Sequence, residues 1–260
     1  MLTFWESLRT EYPALAWTAL VNLLLVPPSL AGLLLDPREV AGISPWIKPL
    51  KFETSIVLYV LTVGWMLLQL QGPAWPKRVV AFGAAFTMLV EISAILLQAA
   101  RGVGSHFNNS TPFNGMVFAT MGVMIAMNTA FAALLLFLFL FTPSPLPPAM
   151  LWGVRLGLVL FLIASAEGAL IVRNMAHTVG TADGGPGLPF LNWSTRFGDL
   201  RVAHFAGMHG IQILPALGWL LSRQQRTAGV PLVGAAFLAM AAVFVFALRQ
   251  ALAARPLWRG

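Results

Sequence analysis

The chain contains no cysteine, which excludes disulfides, thiolate metal sites and thiol catalysis and leaves the redox compartment unmarked. Charge is nearly as scarce. Only 10% of the 260 residues are charged, against 58% hydrophobic, whereas soluble domains carry about 25% charged residues. Such a chain cannot coat itself with a polar surface, so an ordinary water-soluble domain is excluded. Lysine occurs at positions 48, 51 and 77 alone, so no Schiff-base lysine lies in the last span. There is no HExxH or CxxCH string, and TADGGPG lacks the strand and helix that a nucleotide loop needs, so it reads as a flexible loop. The net charge of +7 reports topology and lipid headgroups, and no nucleic-acid partner is expected.

What the sequence does have is long apolar runs. A membrane span needs about 20 mainly apolar residues, and seven stretches qualify: 13–35, 50–71, 79–100, 114–141, 149–172, 200–222 and 229–250. The expected fold is therefore all-α, a polytopic membrane protein with one domain of seven transmembrane helices. The lipid bilayer, most naturally a bacterial inner membrane, is its first partner, with further membrane subunits or a second copy as others. Pro27-Pro28 remove two backbone donors, which predicts a kink or a break in the first helix. The leader MLTFWESLRTEYPALAW carries Glu6 and Glu11 and reads as an interfacial segment, not a signal peptide.

The loops fall into two kinds. Those after spans two, four and six (GPAWPKR, TPSPLPP, SRQQRTAG) are short and bland. Those after spans one, three and five are longer and polar: DPREVAGISPWIKPLK, RGVGSHFNNSTPFN and RNMAHTVGTADGGPGLPFLNWSTRFGD. Alternation places the second kind on one face. Lys77, Arg78, Arg223 and Arg226 lie on the bland side. Arg38, Lys48, Lys51, Arg101, Arg173, Arg196 and Arg201 lie on the polar side, joined by Arg249, Arg255 and Arg259. The positive-inside rule then favours a cytoplasmic polar face and an outside N-terminus.

The polar residues within the spans share this asymmetry. Glu53 and Ser55 open span two, Glu91 and Gln98 close span three, Glu167 closes span five, and His204 and His209 follow the start of span six. At about 1.5 Å rise per residue, Glu91 and His209 would both lie some 10–15 Å below the surface. Ionisable groups at membrane depth are costly and mark function by default, so a vestibule at one face is expected. The stretch NWSTRFGDLRVAHFAGMHGIQ, residues 192–212, concentrates that chemistry.

His204 and His209 stand five residues apart, about 140° around a helix, so they cannot both face one metal ion. With His106 and His177 they place all four histidines at the polar face, where imidazole is the usual ligand of a transition metal or haem b. His209, His204, His106 and Glu91 are the candidate metal ligands. His204, His209, His106 and Gln212 would line a cofactor, and Glu91, Glu167 and Arg201 would carry proton or counter-ion roles. Asp199 reads as the N-cap of span six, leaving Arg201 to face inward. Lys48 and Lys51 with Trp46 read first as an interfacial anchor, and as the cationic rim of an anion site second. Met116, Met121, Met124 and Met127 read as packing before Cu(I) ligation.

Three functions follow. The first is a membrane protein that holds a haem or metal ion in a redox or electron-transfer role. The second is a proton-coupled transporter or channel for a small anionic solute. The third is a non-catalytic accessory subunit of a larger membrane complex.

Overall fold

The computed structural model describes residues 3–224 and 227–258; Arg226 and Arg259, counted above for orientation, lie outside the described residues. Their chain is mostly helical: α1 Phe4–Glu11, α2 Pro13–Leu35, α3 Ile47–Leu68, α4 Ala74–Arg101, α5 Pro112–Phe141, α6 Pro148–Asn174, α7 Leu200–Met208, α8 Gly210–Arg223 and α9 Gly229–Leu252. The strands β1, Thr178–Val179, and β2, Gly198–Asp199, form one short antiparallel pair. Six helices (α2 to α6 and α9) are long and apolar enough to cross a membrane. The protein is an all-α, multi-pass membrane protein.

Two sequence expectations are corrected in detail. The seventh expected span, 200–222, is two shorter helices that meet at His209, and Pro215 inside α8 removes a further backbone donor. The first span is not broken, because α2 runs through Pro27 and Pro28 without interruption. Prolines persist in membrane helices where neighbouring groups take over the lost bonding. The buried face of α2 carries Thr18, Asn22 and Ser29, all fully buried, with Thr18 and Asn22 bonded back to the carbonyls of Ala14 and Thr18, ahead of the Leu23 and Leu24 carbonyls that the prolines leave without their helical donor.

Local signals set most boundaries. Thr3 and Glu6 close a capping box at the start of α1. Prolines open α2, α5 and α6, where a missing N–H costs nothing. Helix α4 ends on left-handed Gly102 (φ 68°), with Val103 N–H donating to the Gln98 carbonyl at 3.0 Å, the bonding of a Schellman stop.

Contacts divide the chain into two compact units, residues 1–135 and 136–260. The first has its core in Leu8, Leu15, Val60, Met66, Leu67 and Ile92. The second is held by small residues. Gly153 and Gly157 of α6 lie against the backbone of Leu214 and Gly210, and Gly218 of α8 lies against Ala149. Close backbone approach of this kind is how membrane helices gain contact without a hydrophobic drive. Large apolar side chains remain on the outside of both units, among them Leu34 at 82% and Leu238 at 67% exposed, as a lipid-facing surface requires.

Candidate functional site

In the first unit the stop at Gly102 turns the chain back over the end of α4. His106 thereby meets Lys48 at the start of α3. Lys48 Nζ stands 2.9 Å from His106 Nδ1, with the Ser105 hydroxyl at 3.2 Å. An ammonium can only donate, so Nδ1 accepts and this network assigns the imidazole proton to Nε2. That nitrogen faces Glu91 Oε1 at 3.9 Å. The ring sits among Phe52, Phe107 and Phe118, with centroids at 6.3, 5.9 and 6.1 Å.

Glu91 is only 1% exposed and neither of its oxygens has a hydrogen-bond partner. A buried polar group in that state is expensive. It calls for a proton, a cation or a ligand donor. Nearly three turns nearer the surface, Arg101 is held by the amide oxygens of Gln98 and Asn114 and lies 4.7 Å from the Phe113 ring. Gln98 in turn donates to Asn114, and Asn114 to Ser110. No carboxylate pairs with Arg101 among the described residues, so its charge is uncompensated by its own partners. The Glu91, Gln98 and Arg101 stripe expected on span three is present.

Two features of this unit differ from the expected ones. Lys48 is a partner of His106 rather than a simple interfacial anchor. Glu53 is fully buried and accepts a 2.6 Å bond from the equally buried Ser29 hydroxyl, while its second oxygen is unpartnered. Its readable signal was the stripe Thr18, Asn22, Ser29, which falls on one face of α2. Met121 is buried, but Met116 and Met127 are exposed, so the methionines do not converge as thioether ligands.

In the second unit, Glu167 of α6 is 4% exposed and its Oε2 is hydrogen-bonded to His204 Nδ1 at 3.1 Å, leaving Glu167 Oε1 without a partner. His209, at the junction of α7 and α8, donates from Nδ1 to the Phe205 carbonyl at 2.8 Å, and its ring lies tilted at 37° to that of Phe205 with the centroids 4.0 Å apart. Its neighbour Gln212 has a buried oxygen with no partner. Asp199 does cap α7, accepting from Arg201 N–H at 3.0 Å. It also binds the Arg201 guanidinium at 2.9 and 2.6 Å. Arg201, further tied to the Asn192 carbonyl, is therefore the partner of its own cap and not a free inward cation.

The loop read as flexible is pinned by Asp183. This carboxylate accepts from the backbone N–H groups of His177 and Thr178, the Thr178 hydroxyl and His177 Nδ1, all within 3.1 Å. Burial alone would push its carboxyl up, yet the His177 imidazole and these donors hold it well below the usual carboxylate range. A depressed carboxylate contributes stability that is complete above its ordinary pKa of about 3.9 and is lost as pH falls below that value. Protection of the His177 and Thr178 amides from hydrogen exchange, measured against the unprotected rate at the same pH, is therefore expected to be high at neutral pH and to fall in acid. Asp183→Asn is expected to show the acid behaviour at neutral pH, at a local cost of about 1–3 kcal/mol. Equal protection in both proteins would contradict this.

The four proposed metal ligands are not drawn into one cluster: among the described residues no three His, Asp or Glu side chains converge as a metal site. Within each unit the donors come in pairs, Glu91 with His106 and Glu167 with His204. No protein-family model, curated protein or solved structure matches the chain.

Proposed function

We propose that the protein is a proton-coupled transporter or channel for a small anionic solute, with Glu91 as the group that takes up the proton. The supporting observation is the alignment of Lys48, His106 and Glu91, a donor, a relay and an unsatisfied buried acceptor. Lys48 holds the ring so that the proton on Nε2 faces the carboxylate. A contraction of about 1 Å brings the pair to hydrogen-bonding distance, and such bonds are commonly loose before a ligand arrives. Arg101 and Lys48 supply positive potential at the mouth, which raises the local concentration of anions. Protonation of Glu91 removes the negative charge that would repel an anion there, so proton and anion would enter together. Protein reconstituted into vesicles with a trapped pH dye is expected to speed the collapse of an imposed pH gradient when nitrate, formate or phosphate is added outside. Vesicles holding folded protein that behave like empty ones with all three anions would count against the proposal.

A second reading, a haem b or transition-metal ion in a redox role, is favoured by His209. Its Nδ1 proton is committed to the Phe205 carbonyl, which leaves the Nε2 lone pair as the coordinating one, the usual tautomer and brace of a metal-bound imidazole. A visible spectrum of the purified protein, oxidised and reduced, tests it. A Soret band lost in His209→Ala supports the reading; colourless, metal-free protein ends it.

A further inference from the structure

We infer that the first unit holds a one-sided, water-accessible path that opens beside Lys48 and His106, passes Glu91 and stops at Tyr59, Thr87 and Asn128. This rests on the proton-coupled reading for its purpose, though not for its existence. Thr87 precedes Glu91 by one turn of α4, so the two side chains are neighbours on one helix face. Asn128 lies two heptads from Asn114 on α5, with buried Met121 between them. Asn128 Oδ1 accepts from the Tyr59 hydroxyl at 3.1 Å and lies 3.3 Å from the Thr87 hydroxyl, which also reaches the Gly83 carbonyl at 2.8 Å. Both Tyr59 and Asn128 are buried.

Two polar layers thus flank Glu91, the Gln98, Asn114 and Arg101 layer towards the polar loops and the Tyr59, Thr87 and Asn128 layer on the inner side. The unsatisfied carboxyl lies between them. Buried polar atoms are matched by protein or by water. Here the protein supplies no partner to either Glu91 oxygen, so water entering past the partly exposed His106 is the available one. Beyond the inner layer the lining changes. Val60, Val63, Met66, Val80, Ala84 and Leu135 are each at most 1% exposed and offer no side-chain polar atom, so water gains nothing by going further. The path is open at one end and sealed by apolar packing at the other.

The absence of native cysteine makes the test direct. Single cysteines are introduced as Thr87→Cys, Asn128→Cys and Val63→Cys in the full chain, reconstituted in vesicles. A small water-soluble methanethiosulfonate reagent is added to one side or the other, and modification is read by mass. The thiols at 87 and 128 are expected to react at least tenfold faster than the thiol at 63, and only from the side of the 36–46 loop. Should Thr87→Cys fail to insert, Asn128→Cys carries the same comparison. Rates at 87 and 128 no faster than at 63, or labelling from both sides, would overturn the path. Selective one-sided labelling upholds it even if the vesicles show no proton flux, in which case the transport reading alone fails. Proton flux without labelling at either position overturns the path and leaves that reading standing.

Discussion

Replacing Gly157 with leucine is expected to abolish the folded second unit. A Cβ at this position would stand 2.6 Å from the Gly210 carbonyl oxygen and 3.2 Å from the Ile211 Cα. These are backbone atoms that cannot rotate away, so α6 and α8 must separate. The same seam is closed against backbone at Gly153 and Gly218, where a Cβ would stand 2.4 Å from the Leu214 and Ala149 carbonyl oxygens. Overpacking costs about 1–3 kcal/mol where side chains can give, and here they cannot, so the loss should exceed that range against a typical total of about 5–15 kcal/mol. Even Gly157→Ala should destabilise, since the offending atom is the Cβ itself. Gly234→Leu is the control. It lies in α9 of the same unit with nothing within 4 Å of a built Cβ, and should unfold within about 0.5 kcal/mol of the parent. Detergent-titrated unfolding followed by tryptophan fluorescence reads all three. A Gly157→Leu protein as stable as Gly234→Leu would mean that α6 and α8 do not meet as described.

How much of this was legible in the sequence depends on whether the signal was local. Six of the seven expected spans each match a single long helix, α2 from end to end and the others within a few residues, because apolar length is a local property. Asp199 as an N-cap was equally local. Glu91 was readable as a lone carboxylate in TMLVEISAIL. Its partners were not. Lys48 and His106 are 58 residues apart, and their meeting depends on how α3 and α4 pack and on the turn at Gly102, so Lys48 read as an anchor. The same holds for Ser29 and Glu53, 24 residues apart. The split at His209 was hidden because residues 200–222 stay apolar on average despite Arg201, His204, His209 and Gln212, and an average over a span does not register a helix junction one residue long. Ala149, Gly153 and Gly157 recur every four residues, a spacing that does announce close helix packing. Arg201 was misjudged because a cap residue can also bind the guanidinium two positions on.

The second large effect concerns Glu91→Gln. Glutamine keeps the shape of the side chain and cannot take up a proton. If Glu91 only braced helices, this change would act on stability, and interhelical polar contacts in membranes are worth about 0.6 kcal/mol on average. Both oxygens of Glu91 lack a protein partner, so little bonding is there to lose, and stability should change by less than about 1 kcal/mol. Removing a positioned proton carrier instead acts on rate, where such groups contribute about 100- to 10,000-fold. His106→Ala should fall between the two, since water can replace the imidazole more easily than anything replaces the carboxyl. Fold and flux are thereby expected to separate cleanly in this variant.

The deciding measurement is anion-dependent proton uptake by vesicles holding equal amounts of the parent protein and Glu91→Gln, with unfolding of both recorded on the same preparation. The account predicts uptake in the parent, a rate indistinguishable from empty vesicles in Glu91→Gln, and matching unfolding curves. Uptake by Glu91→Gln at the parent rate would contradict it, because the proton would then be travelling without the carboxyl that the first unit buries beside His106.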